Sequence, residues 1–124
     1  MILPRAVLAD TSVWIDHLRS PNAEFAAALE QGSVYTHPFV IGELACGRLP
    51  SRVSFLGLMR ELSATPLATH AEVLHVIESH QLMGRGIGYA DASLLASAAL
   101  AGVTLWTRDQ RIHEIAGEMG LAAG

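Results

Sequence analysis

The chain has 124 residues, 51% hydrophobic and 16% charged; this suits one domain with a single core, leaves little room for a second and excludes a disordered tail. Eight basic residues, all arginine, against twelve acidic ones give a net charge of −4, which argues against the broadly basic surface usual in nucleic-acid binders. The single cysteine, Cys46, excludes an intramolecular disulfide and is expected in a reducing compartment.

In chain order, the apolar run 6–9 predicts a strand that ends on Asp10, Thr11 and Ser12 and passes into a helix over 12–19. Asp10 carries two readings: a cap for the free N–H groups of that helix, or a metal ligand at the carboxyl end of a central parallel strand. "SPNAEF" places a turn and Pro21 near the start of a helix over 22–31, followed by a strand over 33–36. A helix over 38–48 carries Glu43 in "HPFVIGELACG", with Val40 and Phe39 three and four residues back. A mid-helix position needs no cap, and the structural alternative there is an ion pair with an arginine such as Arg48.

A helix over 51–62 and a strand over 65–68 follow, and "THAE" from Thr69 to Glu72 is a capping box for a helix over 70–83. The glycines of "GRGIG", at 84, 86 and 88, follow a helix rather than a strand. They therefore predict a flexible loop rather than a dinucleotide fingerprint. The next helix, 90–101, carries Asp91 and stops at Gly102; a strand over 103–106 leads to Asp109, a helix over 109–118 and a short edge near 121–123. Strands separated by helices predict an α/β domain with a parallel sheet covered on both faces. The longest uncharged window, Ala92 to Thr107, is 16 residues, short of the roughly 20 of a spanning helix. With Asp10 interrupting any leader-like run, a cytoplasmic protein without a membrane segment is expected.

The carboxylates carry the chemistry. Asp10 is the sole charge between Arg5 and Asp16, and Asp91 the sole formal charge between Arg85 and Arg108. Isolated carboxylates on apolar segments are costly, and a cluster of them would repel unless a divalent cation held it. Oxygen-only ligands select Mg²⁺ or Mn²⁺ over zinc. If four of the twelve acids belong to one site, the remaining eight balance the eight arginines. His70, His75 and His80 are spaced by five and share no helix face, and His113-Glu114 lacks a second histidine. The absence of lysine excludes a P-loop, and it also excludes receiver domains and haloacid-dehalogenase-like phosphatases. Trp14 and Trp106 read as core.

"LADTSVWID", "GELACG", "YADASLLASAAL" and "LWTRDQRI" stand in that order, and with them the chain resembles PIN-domain ribonucleases of the VapC toxin type along its whole length. The resemblance implies a single domain over 1–124, a three-layer PIN-like sandwich whose central parallel sheet has helices on both faces. It implies that Asp10, Glu43, Asp91 and Asp109 are catalytic and metal-binding, supported by the hydroxyls of Ser12, Thr11 and Thr107. It also implies a Mg²⁺-dependent endoribonuclease toxin of a type II toxin–antitoxin system (Mn²⁺ substituting), a homodimer restrained by a VapB-type antitoxin, and products with 5′-phosphate and 3′-hydroxyl ends. Many relatives place a further acid and an aromatic after "TRD", where this chain has Ile112 and His113, so Asp109 is the ligand most open to acting through water. Arg85 and Arg108 flank the acidic blocks and are the candidate phosphate contacts, with a structural ion pair as their alternative. Two other readings use the same residues: a non-catalytic PIN-like module binding RNA or protein, and a metal-dependent DNA nuclease or phosphatase.

Overall fold

A computed structural model describes residues 6–123. Three short strands, β1 (Val7–Ala9), β2 (Val34–Tyr35) and β3 (Thr104–Trp106), form a parallel sheet in the order β2-β1-β3. The register sets Val7 opposite both Val34 and Thr104, and Ala9 opposite Trp106. β1, first in sequence, is therefore central, and Leu8 and Ala9 have no exposed surface. Among the described residues seven helices flank the sheet: α1 (Thr11–Arg19) and α2 (Ala23–Glu30) lead from β1 to β2. α3 (Pro38–Ala45), α4 (Arg52–Glu61), α5 (His70–Ser79) and α6 (Tyr89–Ala101) lead back past β1 to β3, and α7 (Gln110–Glu118) follows. Right-handed crossovers that cross a sheet in opposite directions, here β1 to β2 and then β2 to β3, put helices on opposite faces. The three-layer α/β expectation holds.

The sheet is narrower than the sequence predicts. The strand expected over 65–68 reduces to one bridge, Ala64 to Thr36, and the edge near 121–123 to one bridge, Ala122 to Leu105. Pairing stops once Thr65 N–H has donated to Thr36 O at 3.0 Å, because the partner segment turns into α3 at His37 and Pro38, next in register, has no N–H. The helix expected over 70–83 ends at Ser79, because Gln81 turns left-handed (φ 53°) and Leu82 N–H returns to Ile77 O at 3.0 Å. That turn drives Leu82 into the core, where it is 3% exposed.

Three aromatic residues from separate segments meet: Phe25 stands edge-on to Trp14 at 4.8 Å and to Trp106 at 5.5 Å. Trp14 is buried in the core as expected, and Trp106 packs against it partly buried. Helix α6 is buried almost all round, from Ala92 to Ala98, which explains its small and apolar composition.

The "GRGIG" segment is held more firmly than the sequence suggests. Arg111 on α7 donates to Gly86 O at 3.1 Å, and Arg85 forms a two-pronged ion pair with Glu118 at 2.7 and 2.8 Å. Gly86 has φ +82°, and a Cβ there would stand 2.8 Å from Arg111 Nη1. The guanidinium can swing aside, but the backbone angle cannot change without losing the turn. Gly86→Ala should therefore lower stability by about 1–2 kcal/mol. A urea midpoint equal to that of the wild type would contradict this.

Candidate active site

The polar residues collect where the strands end. Asp10 follows β1 and caps α1, and its Oδ1 accepts from Ser12 N–H at 3.0 Å and from the Ser12 hydroxyl. Its Oδ2 accepts from the Thr107 hydroxyl just beyond β3. Both partners are fixed in turn: Ser12 Oγ accepts from Arg108 N–H at 2.9 Å, and Thr107 Oγ1 from Asp109 N–H at 3.0 Å. Asp10 is thus buried, 6% exposed, and wired both to the start of α1 and to a hydroxyl 97 residues on.

Asp109 caps α7, accepting from Arg111 and Ile112 N–H at 2.9 and 3.1 Å. Asp91, in the first turn of α6, accepts from Gly88 N–H at 3.0 Å. Three helix N-termini, each with a positive end, therefore deliver three aspartates. Glu43 differs, since it arrives from the last turn of α3, where the free groups are carbonyls. Burial, then Asp91, then Asp10 push its carboxyl upward, while Thr11 works the other way. Its side chain still reaches solvent, so this shift carries a direction and no energy. Thr11 Oγ1 itself is buried without a hydrogen-bond partner among the described residues.

One cleft of about 170 Å³ is lined by Asp10, Glu43, Asp91 and Asp109, with the Thr11 and Ser12 side chains and an apolar floor of Leu94 and Ile112. The cap and cluster readings of the aspartates are thus not alternatives, because the same carboxylates do both. The lining offers oxygen donors and no imidazole or thiolate, which fits a hard cation. Among the described residues no three His, Cys, Asp or Glu side chains stand close enough to ligate one ion directly. Mg²⁺ retains several of its waters, and at about 30 Å³ per water the cleft has room for about five.

Of the two arginines expected to meet phosphate, the structure engages Arg85 with Glu118 on α7, away from the cleft lining. It takes the ion-pair alternative. Arg108 is exposed and 3.8 Å from Asp16, beside Ser12. Arg48 makes no ion pair with Glu43 among the described residues. His37 and Ser97 went unread in the sequence. Both are wholly buried and joined at 3.0 Å, and Pro38 at the first helical position was the signal that His37 caps α3.

The PIN domain family profile matches residues 7–118. Ribonuclease VapC32 of Mycobacterium tuberculosis is 44% identical over 117 residues, which is 94% of each chain. Among solved structures, FitAcB from Neisseria gonorrhoeae superposes with a TM-score of 0.65 at 24% identity, covering 90% of this chain and 93% of that one. PAE2754 from Pyrobaculum aerophilum gives 0.60 at 19% identity, covering 90% and 79%. No helix among the described residues is long and apolar enough to cross a membrane.

Proposed function

This chain belongs to the PIN-domain family, and from that premise we propose that it is a Mg²⁺-dependent endoribonuclease, the toxin of a type II toxin–antitoxin pair. The observation that carries the reading is the meeting of Asp10, Glu43, Asp91 and Asp109, drawn from four separate segments, in one cleft. The 44% identity to a protein named as a VapC ribonuclease points the same way. Asp10, Glu43 and Asp91 would hold the cation, with Asp109 acting directly or through water. Mn²⁺ would substitute for Mg²⁺. A divalent cation there would supply a more acidic water and positive charge against the phosphate.

The chain's own groups have distinct tasks. Ser12 and Thr107 fix both oxygens of Asp10, so one carboxylate of the set is held in place before a cation arrives. Glu43, pushed upward by burial and by the charges of Asp91 and Asp10, is the carboxylate whose ionised form a cation would favour most. Arg108, exposed at the rim, is the remaining candidate for a phosphate contact. A VapB-type antitoxin, a homodimer and a cytoplasmic location complete the proposal by family likeness.

Digestion of RNA with Mg²⁺ or Mn²⁺, and again with excess EDTA, tests it. Cleavage should require the metal and leave 5′-phosphate and 3′-hydroxyl ends. Full activity in EDTA, or 2′,3′-cyclic phosphate ends, would contradict the mechanism. Cutting of DNA alone would favour the DNA-nuclease alternative.

A further inference from the structure

Resting on that reading, we propose that His37 and Ser97 form an internal strut that sets the separation of Glu43 and Asp91, and hence the affinity of the cleft for its cation. His37 ends the β2 segment and caps α3, with Nδ1 accepting from Phe39 N–H at 3.0 Å. That bond assigns the neutral ring its proton on Nε2, which donates to Ser97 Oγ at 3.0 Å. Ser97 also accepts from Ala68 N–H at 3.1 Å, so the link reaches the segment that enters α5.

The placement is what gives this buried pair its role. Glu43 stands six residues after His37 on α3, and Asp91 six residues before Ser97 on α6. Each carboxylate is thus about 9 Å along its helix from the link. Helix α3 packs chiefly on α1 and α4, and α6 on α5 and β3. The His37–Ser97 bond is therefore a direct tie between two helices that otherwise rest on different neighbours. Val40 and Leu94, both buried in the same core, lie between the strut and the cleft on their respective helices. Burial holds the imidazole neutral, with its pKa lowered to about 4, so the strut keeps its hydrogen-bond pattern across the neutral pH range. Neither residue lines the cleft. Both are positioning residues, acting through Glu43 and Asp91.

Two substitutions separate the strut from the cap. His37→Asn keeps an acceptor for Phe39 N–H but is too short to reach Ser97, while Ser97→Ala removes the link from the other side and leaves the cap intact. Mn²⁺ binding to the folded proteins, followed by loss of the free-ion electron paramagnetic resonance signal well below each melting temperature, is the readout. Each variant should bind Mn²⁺ about 10-fold more weakly, and the double variant no more weakly than either single one. His37→Gln, whose amide nitrogen can reach Ser97, should recover most of the affinity. A merely structural pair would lower the melting temperature and leave Mn²⁺ affinity unchanged. Variants that bind within twofold of a wild type that itself binds Mn²⁺ overturn the strut alone. A wild type that binds no Mn²⁺ overturns the metal reading and the strut with it.

Discussion

Asp91→Asn should melt higher than wild type in the absence of metal, and should lose cleavage. Asp91 and Glu43 repel each other, since Asp91 is one of the charges that push the Glu43 carboxyl upward. The amide removes that charge while its oxygen can still accept from Gly88 N–H, the bond the carboxylate makes at 3.0 Å. Discounted for solvent screening, the gain is about 0.5–1 kcal/mol, or about 2–4 °C for a domain of this size. Added Mg²⁺ should raise the wild-type melting temperature and barely move the variant. At ten times its dissociation constant the ion contributes about 1.4 kcal/mol. Cleavage should fall by about 10²- to 10³-fold, the scale for removing one electrostatic element from an active site. Melting curves with and without Mg²⁺, beside a cleavage assay, decide the matter. A variant unchanged in melting, metal response and activity would leave Asp91 a helix cap and nothing more.

Acidification should destabilise the fold through His37. The ring is neutral when folded down to pH about 4, against an ordinary value of 6.5, because burial disfavours the imidazolium. Between those values the unfolded chain binds a proton that the folded chain does not, so stability rises with pH across the window and is lost as pH falls through it. From neutral pH to about pH 5 the loss is about 2 kcal/mol, at 1.36 kcal/mol per unit. Glu43 acts in the opposite sense. Its raised folded pKa means that protonation on acidification stabilises the native state. The clean measurement is the difference between wild type and His37→Asn, which share Glu43 and every other acid. Urea midpoints at pH 7.5 and 5 should converge by about 2 kcal/mol as pH falls. A constant difference between the two proteins would show that His37 does not hold its neutral form.

The aspartates were legible because each interrupts an apolar run at a helix start, and the same positions that cap α1 and α7 open onto the cleft. Because a capping carboxylate can also line a cleft, no single position separates cap from ligand. Glu43 was the clearest signal, since no cap requirement explains an acid in the last turn of α3. The failures have a common cause. The apolar residues over 65–68 suggest a strand, but pairing there depends on a partner about 30 residues earlier that turns into α3 at His37 and has no N–H at Pro38. Arg85 was placed near the site by its closeness in sequence to Asp91, whereas its guanidinium finds Glu118, 33 residues on. His37 was invisible for the same reason, because its partner lies 60 residues away. Local pattern announces caps and periodicity, and it says little about which distant side chains meet.

The order of the strands has a consequence in time. Because the central strand β1 is made well before its neighbour β3, Asp10 waits for Thr107, 97 residues on, and then for Asp109. At about 5–20 residues per second, translation separates the first carboxylate from the last by about 5–20 s. A nascent chain emerging from the ribosome therefore carries an unfinished cleft through that interval. If the protein cuts RNA, the messenger and the machinery making it are spared for at least as long, by topology alone.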